Sequence, residues 1–267
     1  MAAESTVISP GQDEINRAVY HSPGVYRCYL SKFLRPPETA CLLKYESHIL
    51  DRDVLDIGVG AGRTTRYLAP LARRYEAIDY SPVMVGYMKN TFPSVSVHQL
   101  DFRDLRIFDN GSFDFIFAPD NVIDALAPQD RLRALREACR VLRPRGVLVF
   151  SSHNIHYKKA FSGPRWNWSS NPVRFAINGA KYLLGLWNHA RVAPLRRTTS
   201  EYALLNDQGH HYACLHYYAA RSEVCSQLAS AGMRLIEAFN TRGQIAPEGT
   251  DDSENPSLTY VAERAAD

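Results

Sequence analysis

The ten residues from Asp53 to Gly62, Asp-Val-Leu-Asp-Ile-Gly-Val-Gly-Ala-Gly, constrain this chain more than any other stretch. An apolar run suited to a buried strand passes straight into three alternating glycines, with Asp56 just ahead of them. Glycine permits a tight turn and lets a ligand lie against bare backbone. The following stretch, Arg63 to Arg74, reads as a helix whose free N–H groups would face that ligand. Together these features predict a nucleotide-type ligand at the end of a first β-strand.

From Asp53 the chain alternates strand and helix patterns, which implies a parallel sheet with helices on both faces. Strands are expected at 53–58, 75–79, 95–100, 113–119 and 147–151, the last continuously apolar as a buried central strand should be. Ser81-Pro82 reads as N-cap and first residue of a helix carrying Met84, Tyr87 and Met88. Pro128 starts another, with Leu132, Leu135, Cys139 and Leu142 on one stripe. Beyond residue 155 the rhythm breaks, and 155–218 reads as an inserted cap whose best helical candidate is 177–190. His210 to Tyr218 looks extended, and 233–239 and 257–262 read as two final strands able to pair antiparallel. The expected fold is α/β, a Rossmann-like seven-stranded sheet, mostly parallel with an antiparallel final strand, plus the cap. Its parts are an N-terminal helical lid at 1–50 (polar and loose over 1–14), a ligand-binding core at 51–154, the substrate cap at 155–218 and the C-terminal part of the core sheet at 219–267.

No apolar run is long enough for a transmembrane helix, and Met1 to Pro10 lacks the features of a secretory signal. The five cysteines are scattered, with no Cys-x-x-Cys pair. Free thiols in a reducing compartment, hence a cytoplasmic protein without structural zinc, are the expectation. The net charge of +3 hides an asymmetry: Ile155 to Ser200 contains eight Lys or Arg and no Asp or Glu, and also holds Trp166, Trp168 and Trp187. That segment is either a solvated basic surface or a cap facing an anionic partner. The tryptophans would stack on a flat or sugar acceptor or form the cap's own small core. A membrane-facing helix at 177–190 is a further reading. Nucleic acid is not expected, since no zinc knuckle or RNA-binding signature is present.

Three nucleotide folds compete for the glycine run. The P-loop needs Gly-Lys-Ser/Thr, which is absent. The nicotinamide fingerprint needs Gly-x-Gly-x-x-Gly, whereas Gly58, Gly60 and Gly62 are spaced Gly-x-Gly-x-Gly. Asp79 ends the second strand, where an acid can take both hydroxyls of a ribose, and Asp101 ends the third, followed by Phe102. The stretches Val-Leu-Asp-Ile-Gly-Val-Gly-Ala-Gly-Arg-Thr-Thr at 54–65, Ala-Ile-Asp-Tyr-Ser-Pro-Val-Met at 77–84, Asp-Phe-Arg-Asp-Leu at 101–105, Phe-Asp-Phe-Ile-Phe at 113–117 and Val-Leu-Arg-Pro-Arg-Gly-Val-Leu at 141–148 carry a resemblance. In this order, residues 53–154 resemble class I S-adenosylmethionine-dependent methyltransferases. The resemblance implies that Asp56 and Gly58 to Gly62 hold the methionyl end of S-adenosylmethionine. It implies that Asp79, with Tyr80 beside it, binds the ribose, that Asp101 and Phe102 bind adenine, and that Pro119 or Asn121 lies near the sulfonium. Tyr20 and Tyr26 would come from the N-terminal lid.

Methyl transfer from a sulfonium asks the protein mainly for alignment and a dry site. A base is needed when the acceptor's proton must leave early, as for a hydroxyl. Candidates are His153 after the fifth strand, Asp120 and Asp124 after the fourth, and His210, His211 and His216 after the cap. On an extended 210–218, His210 and His216 share one face and His211 takes the other. No acid/His cluster at ligand spacing suggests a metal. The expected function is methyl transfer to an oxygen or nitrogen of a small-molecule acceptor, anionic or aromatic in character. The alternative is a cofactor-binding protein without transfer, either regulatory or repurposed for cyclisation.

Overall fold

The computed structural model describes residues 11–31 and 33–266. The stretch read as loose, 1–14, lies outside them as far as residue 10. Helix α1 (Gln12–Tyr20) and a 3-10 turn at Val25–Tyr29 lead to α2 (Pro36–Lys44). The core then runs β1 (Asp53–Ile57), α3 (Thr65–Leu68), β2 (Arg74–Asp79), α4 (Pro82–Thr91), β3 (Ser96–Gln99), β4 (Phe113–Ala118), α5 (Pro128–Val141) and β5 (Leu142–Asn154). The remainder is α6 (Pro172–Val192), β6 (Arg197–Thr198), β7 (Tyr202–Leu205), β8 (His216–Ala219), α7 (Arg221–Ser230), β9 (Met233–Phe239) and β10 (Ser257–Arg264).

The strands join in the order β3-β2-β1-β4-β5, all parallel, and β10 and then β9 continue antiparallel from β5. This is a mostly parallel Rossmann-like sheet with an antiparallel end. The strand count is ten rather than seven, because the 155–218 segment adds β6, β7 and β8. β4 leaves β5 at Ala118 opposite Phe150, and β8 then pairs parallel with the overhang, Tyr218 with His153 and Ala219 with Asn154. His153 also pairs with Ser257 of β10, so β8 occupies the same edge of β5 as β4, beyond its tip.

Local chemistry explains where the elements differ from expectation. The helix after the glycines is a single turn, since Pro70 cannot donate within a helix and disrupts the preceding turn. α5 starts at Pro128, but its buried stripe is Arg131, Ala134, Leu135, Ala138 and Val141, rotated from the expected one by a buried arginine. Ser81 precedes α4 without capping it; its hydroxyl donates instead to the Tyr20 carbonyl at 2.7 Å and ties α1 to the core. The extended reading of 210–218 holds only from His216. His210, His211 and Tyr212 have φ of 47°, 54° and 65°, and the backbone turns there before β8.

Candidate active site

The glycine run bends where β1 ends. Gly58, Gly60 and Gly62 have φ of 69°, 55° and 77°, a region costly for other residues. Their surroundings separate their roles. A Cβ on Gly58 would lie 2.4 Å from Val122, and one on Gly60 would meet nothing closer than 3.9 Å. A Cβ on Gly62 would strike Phe92 and Met88 at 2.4 and 2.7 Å. Gly58 and Gly60 line a cavity; Gly62 lets the loop pack on α4 instead.

That cavity is walled by Gly58 to Ala61 on one side and by Pro119, Asp120 and Asn121 on the other, under Tyr20 and Tyr29. A second cavity lies beyond, among Asn16, Arg17, Tyr80, Leu100, Asp101 and Phe102. Gly58, Asp79, Tyr80, Val122 and Ala125 line both. Asp79 is the acid at the junction. Its two oxygens accept the Gly60 and Ser81 backbone N–H groups at 3.0 and 2.9 Å. Burial nevertheless raises its carboxyl to about 6, against the pull of those donors.

Asp56 lines neither cavity. It is fully buried and accepts from Thr64 Oγ1 at 2.5 Å and Tyr75 Oη at 2.6 Å. Burial raises it to about 6 as well. It acts on the cavity through Thr64, which lines the wall. Tyr26 also stands apart, stacked on Tyr87, and Tyr29 takes the place expected for it. Asp101 borders the second cavity but is held by Arg17 and Arg103, each at 2.6 Å. Phe102 is buried in the core.

Past β4 the chain carries two successive residues with left-handed backbone, Asp120 and Asn121, with φ of 58° and 59°. Such strain in non-glycine residues persists only where the surroundings enforce it. Ser151 Oγ accepts the Asn121 N–H at 2.7 Å, and Arg35 pairs with Asp120. Asn121 Nδ2 faces His153 Nε2 at 3.2 Å, and its Oδ1 is buried with no partner.

Behind Asn121 sits a buried polar chain. Asp124 accepts from Arg131, from Ser152 Oγ at 2.7 Å, and from the backbone N–H and Nδ1 of His153 at 2.6 and 2.7 Å. Burial alone would lift this carboxyl, but the Arg131 guanidinium and His153 outweigh it and hold it low. With every strong donor direction filled, Asp124 is an anchor and not a base. An ionised Asp124 only accepts, so His153 Nδ1 carries the proton and Nε2 is left to accept from Asn121. His153 lines neither cavity and reaches the site through that amide.

Asp207 and Tyr218, which the sequence does not single out, join the candidate His216 here. Asp207 takes His216 Nδ1 at 2.8 Å and Tyr218 Oη at 2.9 Å, and it lies 3.7 Å from His153 Nε2. Burial opposes the His216 charge, yet Asp207 holds that imidazole well above its usual range. His153, Asp207 and His216 are the one group among the described residues whose ligating atoms lie close enough for a metal, a clustering the sequence reading did not foresee. His210 packs edge-on to Tyr20 and accepts or donates at 2.7 Å with Tyr29 Oη. Burial, then the His216 charge, lowers its pKa. His211 is exposed on the turn and lines neither cavity, so it is no candidate base. Trp166 packs on Phe175 and Tyr182, and no tryptophan lines either cavity.

Residues 54–146 match the family model described as a methyltransferase domain. They form a class I methyltransferase domain of the S-adenosylmethionine-dependent type. A probable S-adenosylmethionine-dependent methyltransferase of Mycobacterium tuberculosis is 36% identical over 103 residues, 39% of this chain and 36% of that protein. An uncharacterized methyltransferase of Bacillus subtilis is 29% identical over 104 residues, 37% of this chain and 42% of that one. The matches thus span little more than a third of these relatives' length. Among solved structures, a Clostridium acetobutylicum S-adenosylmethionine-dependent methyltransferase superposes with a TM-score of 0.61 at 14% identity, covering 90% of this chain and 94% of that one. The Burkholderia thailandensis 1,6-didemethyltoxoflavin N1-methyltransferase, solved with that substrate and S-adenosylhomocysteine, gives 0.59 at 14% identity, covering 99% and 98%. These similarities show the fold over 90% and 99% of the chain.

The residues at the domain's carboxyl edge fit the cofactor. Gly60 leaves open space over bare backbone, with nothing nearer than 3.9 Å to a Cβ placed there, Asp79 stands where the two cavities join, and Asn121 offers an unused carbonyl oxygen.

Proposed function

We propose that this protein transfers the methyl group of S-adenosylmethionine to a nitrogen or oxygen of a small-molecule acceptor. The carrying observation is the Asn121 amide. His153 orients its Nδ2, so Oδ1 is left facing away as an acceptor that needs an N–H or O–H partner. A buried unsatisfied carbonyl oxygen costs ~1–3 kcal/mol, which a bound donor would recover.

On this reading Asp79 accepts the ribose hydroxyls, Tyr80 and Phe102 border adenine beside Asp101, and the Gly58–Ala61 backbone holds the methionyl end. When bound, the cofactor supplies an electrophilic methyl group on a sulfonium. Tyr20 and Tyr29 keep water out. For a hydroxyl acceptor, Tyr29 Oη receives the proton while passing its own to His210 Nε2, which its lowered pKa keeps neutral at pH 7. The Burkholderia neighbour is named an N1-methyltransferase, which is consistent with a nitrogen acceptor.

The test is incubation with methyl-labelled S-adenosylmethionine and fractionated small-molecule pools. Label should move into a product one methyl group heavier, and Asn121→Leu should slow that transfer by ~30-fold, the worth of ~2 kcal/mol. Tight cofactor binding with no labelled product from any pool would overturn the assignment.

A further inference from the structure

The buried side of α6 is the reverse of what a helix serving its own core presents. Its buried residues are Gly179, Gly185, Asn188 and Val192. Gly179 packs on Trp166 and Gly185 on Tyr212 and Pro164, so the helix lies close on its small-residue side. The opposite side carries Val173, Ile177, Leu183, Leu184 and Trp187 at helical spacing, with Val173, Leu183 and Trp187 67%, 64% and 62% exposed. A helix in a soluble core turns such residues inward. Trp168, just before the helix, is 70% exposed.

The charge around this face is of one sign. Arg174, Lys181 and Arg191 are all exposed, and Arg191 lies 5.1 Å over the Trp187 ring. Residues 155–200 contain no acid to neutralise them. Exposed Leu and Trp bordered by cations match an interfacial helix, with apolar side chains at the acyl boundary and cations among lipid phosphates. No helix of the described residues is long and apolar enough to cross a membrane, so α6 would lie in the surface plane. A second copy is a poorer occupant, since a two-fold contact would set this basic rim against itself.

We propose that the α6 face, with Trp168, docks the protein on an anionic bilayer surface. The experiment is co-sedimentation of the full chain with vesicles of phosphatidylcholine containing ~30% phosphatidylglycerol, against pure phosphatidylcholine, at low and high salt. Binding should favour the anionic vesicles and fall with salt, and tryptophan emission should shift to the blue. Leu183→Ser with Trp187→Ser should abolish binding. Removing the charges of Arg174, Lys181 and Arg191 should weaken it about fivefold each. Cofactor affinity, measured by calorimetry with S-adenosylhomocysteine, should be unchanged in these variants and shows that they fold. Equal binding to both vesicle types, no binding, or a dimer in sedimentation velocity that the same substitutions dissociate would each overturn the proposal.

Discussion

Arg131→Met tests the polar chain beneath the active site. Arg131 and Asp124 are both fully buried and pair directly. Arg131 also donates to Gln227 at 2.8 Å and Ser152 at 3.0 Å, and its guanidinium lies 4.7 Å over Tyr217. Methionine preserves most of the volume but removes the guanidinium that pairs with the fully buried Asp124 charge. Breaking a buried pair from one side costs about 3–5 kcal/mol. For a chain of this size that is a fall in melting temperature of roughly 6–20 °C. The sign of the pH dependence follows from the cause. Without Arg131 the strongest pull against burial is gone, so the Asp124 carboxyl rises from its depressed wild-type position. The protonated form is then the better tolerated one, so the variant is closest to wild type at low pH and its deficit grows as pH rises. Urea unfolding at pH 5 and pH 8 measures both quantities. Adding Asp124→Leu to Arg131→Met should restore part of the loss, since no charge is then stranded. A deficit below ~1 kcal/mol, equal deficits at the two pH values, or no rescue in the double variant would refute the account.

Asp79→Asn should weaken S-adenosylhomocysteine binding by ~1–3 kcal/mol in calorimetry, because its amide must point a donor at a backbone N–H or at the ribose. In the wild type the same affinity should fall as pH drops below about 6, where Asp79 protonates, and hold steady above it; a flat profile from pH 5 to 8 would remove Asp79 from the binding site. Gly58→Ala should destabilise the fold and abolish cofactor binding through its clash with Val122, while Gly60→Ala, with open space at its Cβ, should cost ~1–2 kcal/mol less in urea unfolding; equal effects would mean that backbone strain alone matters. Tyr29→Phe should lower kcat for a hydroxyl acceptor and leave cofactor affinity intact, and a matching rise in the cofactor Kd would make Tyr29 a packing residue.

Much of this architecture can be read along the chain because it is local. The glycine run follows a strand that is buried at every position, and Asp79 ends the neighbouring strand, so periodicity alone places both at one sheet edge. What escapes is set by contacts between distant segments. Nothing near Arg131 signals that it faces the core, since its partner Asp124 belongs to another turn. Asp207 sits in a polar Asn-Asp-Gln-Gly stretch that reads as ordinary loop, and only the return of β8 brings His216 to it. Alternation along 210–218 cannot foresee the left-handed turn that separates His210 from His211, nor can the sequence tell Tyr26, with its stacking partner on α4, from Tyr29. The extra strands β6, β7 and β8 escape for a related reason: strands of two to four residues carry too little pattern to separate from loop.

The overhang of β5 decides which part of the molecule can move to admit ligands. The 155–218 segment, whose strands are stitched by main-chain hydrogen bonds to the sheet, cannot swing aside without tearing that sheet. The N-terminal arm is fastened differently, by side chains such as Gln12 and Asn16 reaching the carbonyls of 124–126 and Leu215, and by the Ser81 hydroxyl. Traffic through the pocket therefore falls to residues 11–31, whose amides should exchange with deuterium faster than those of β7 and β8.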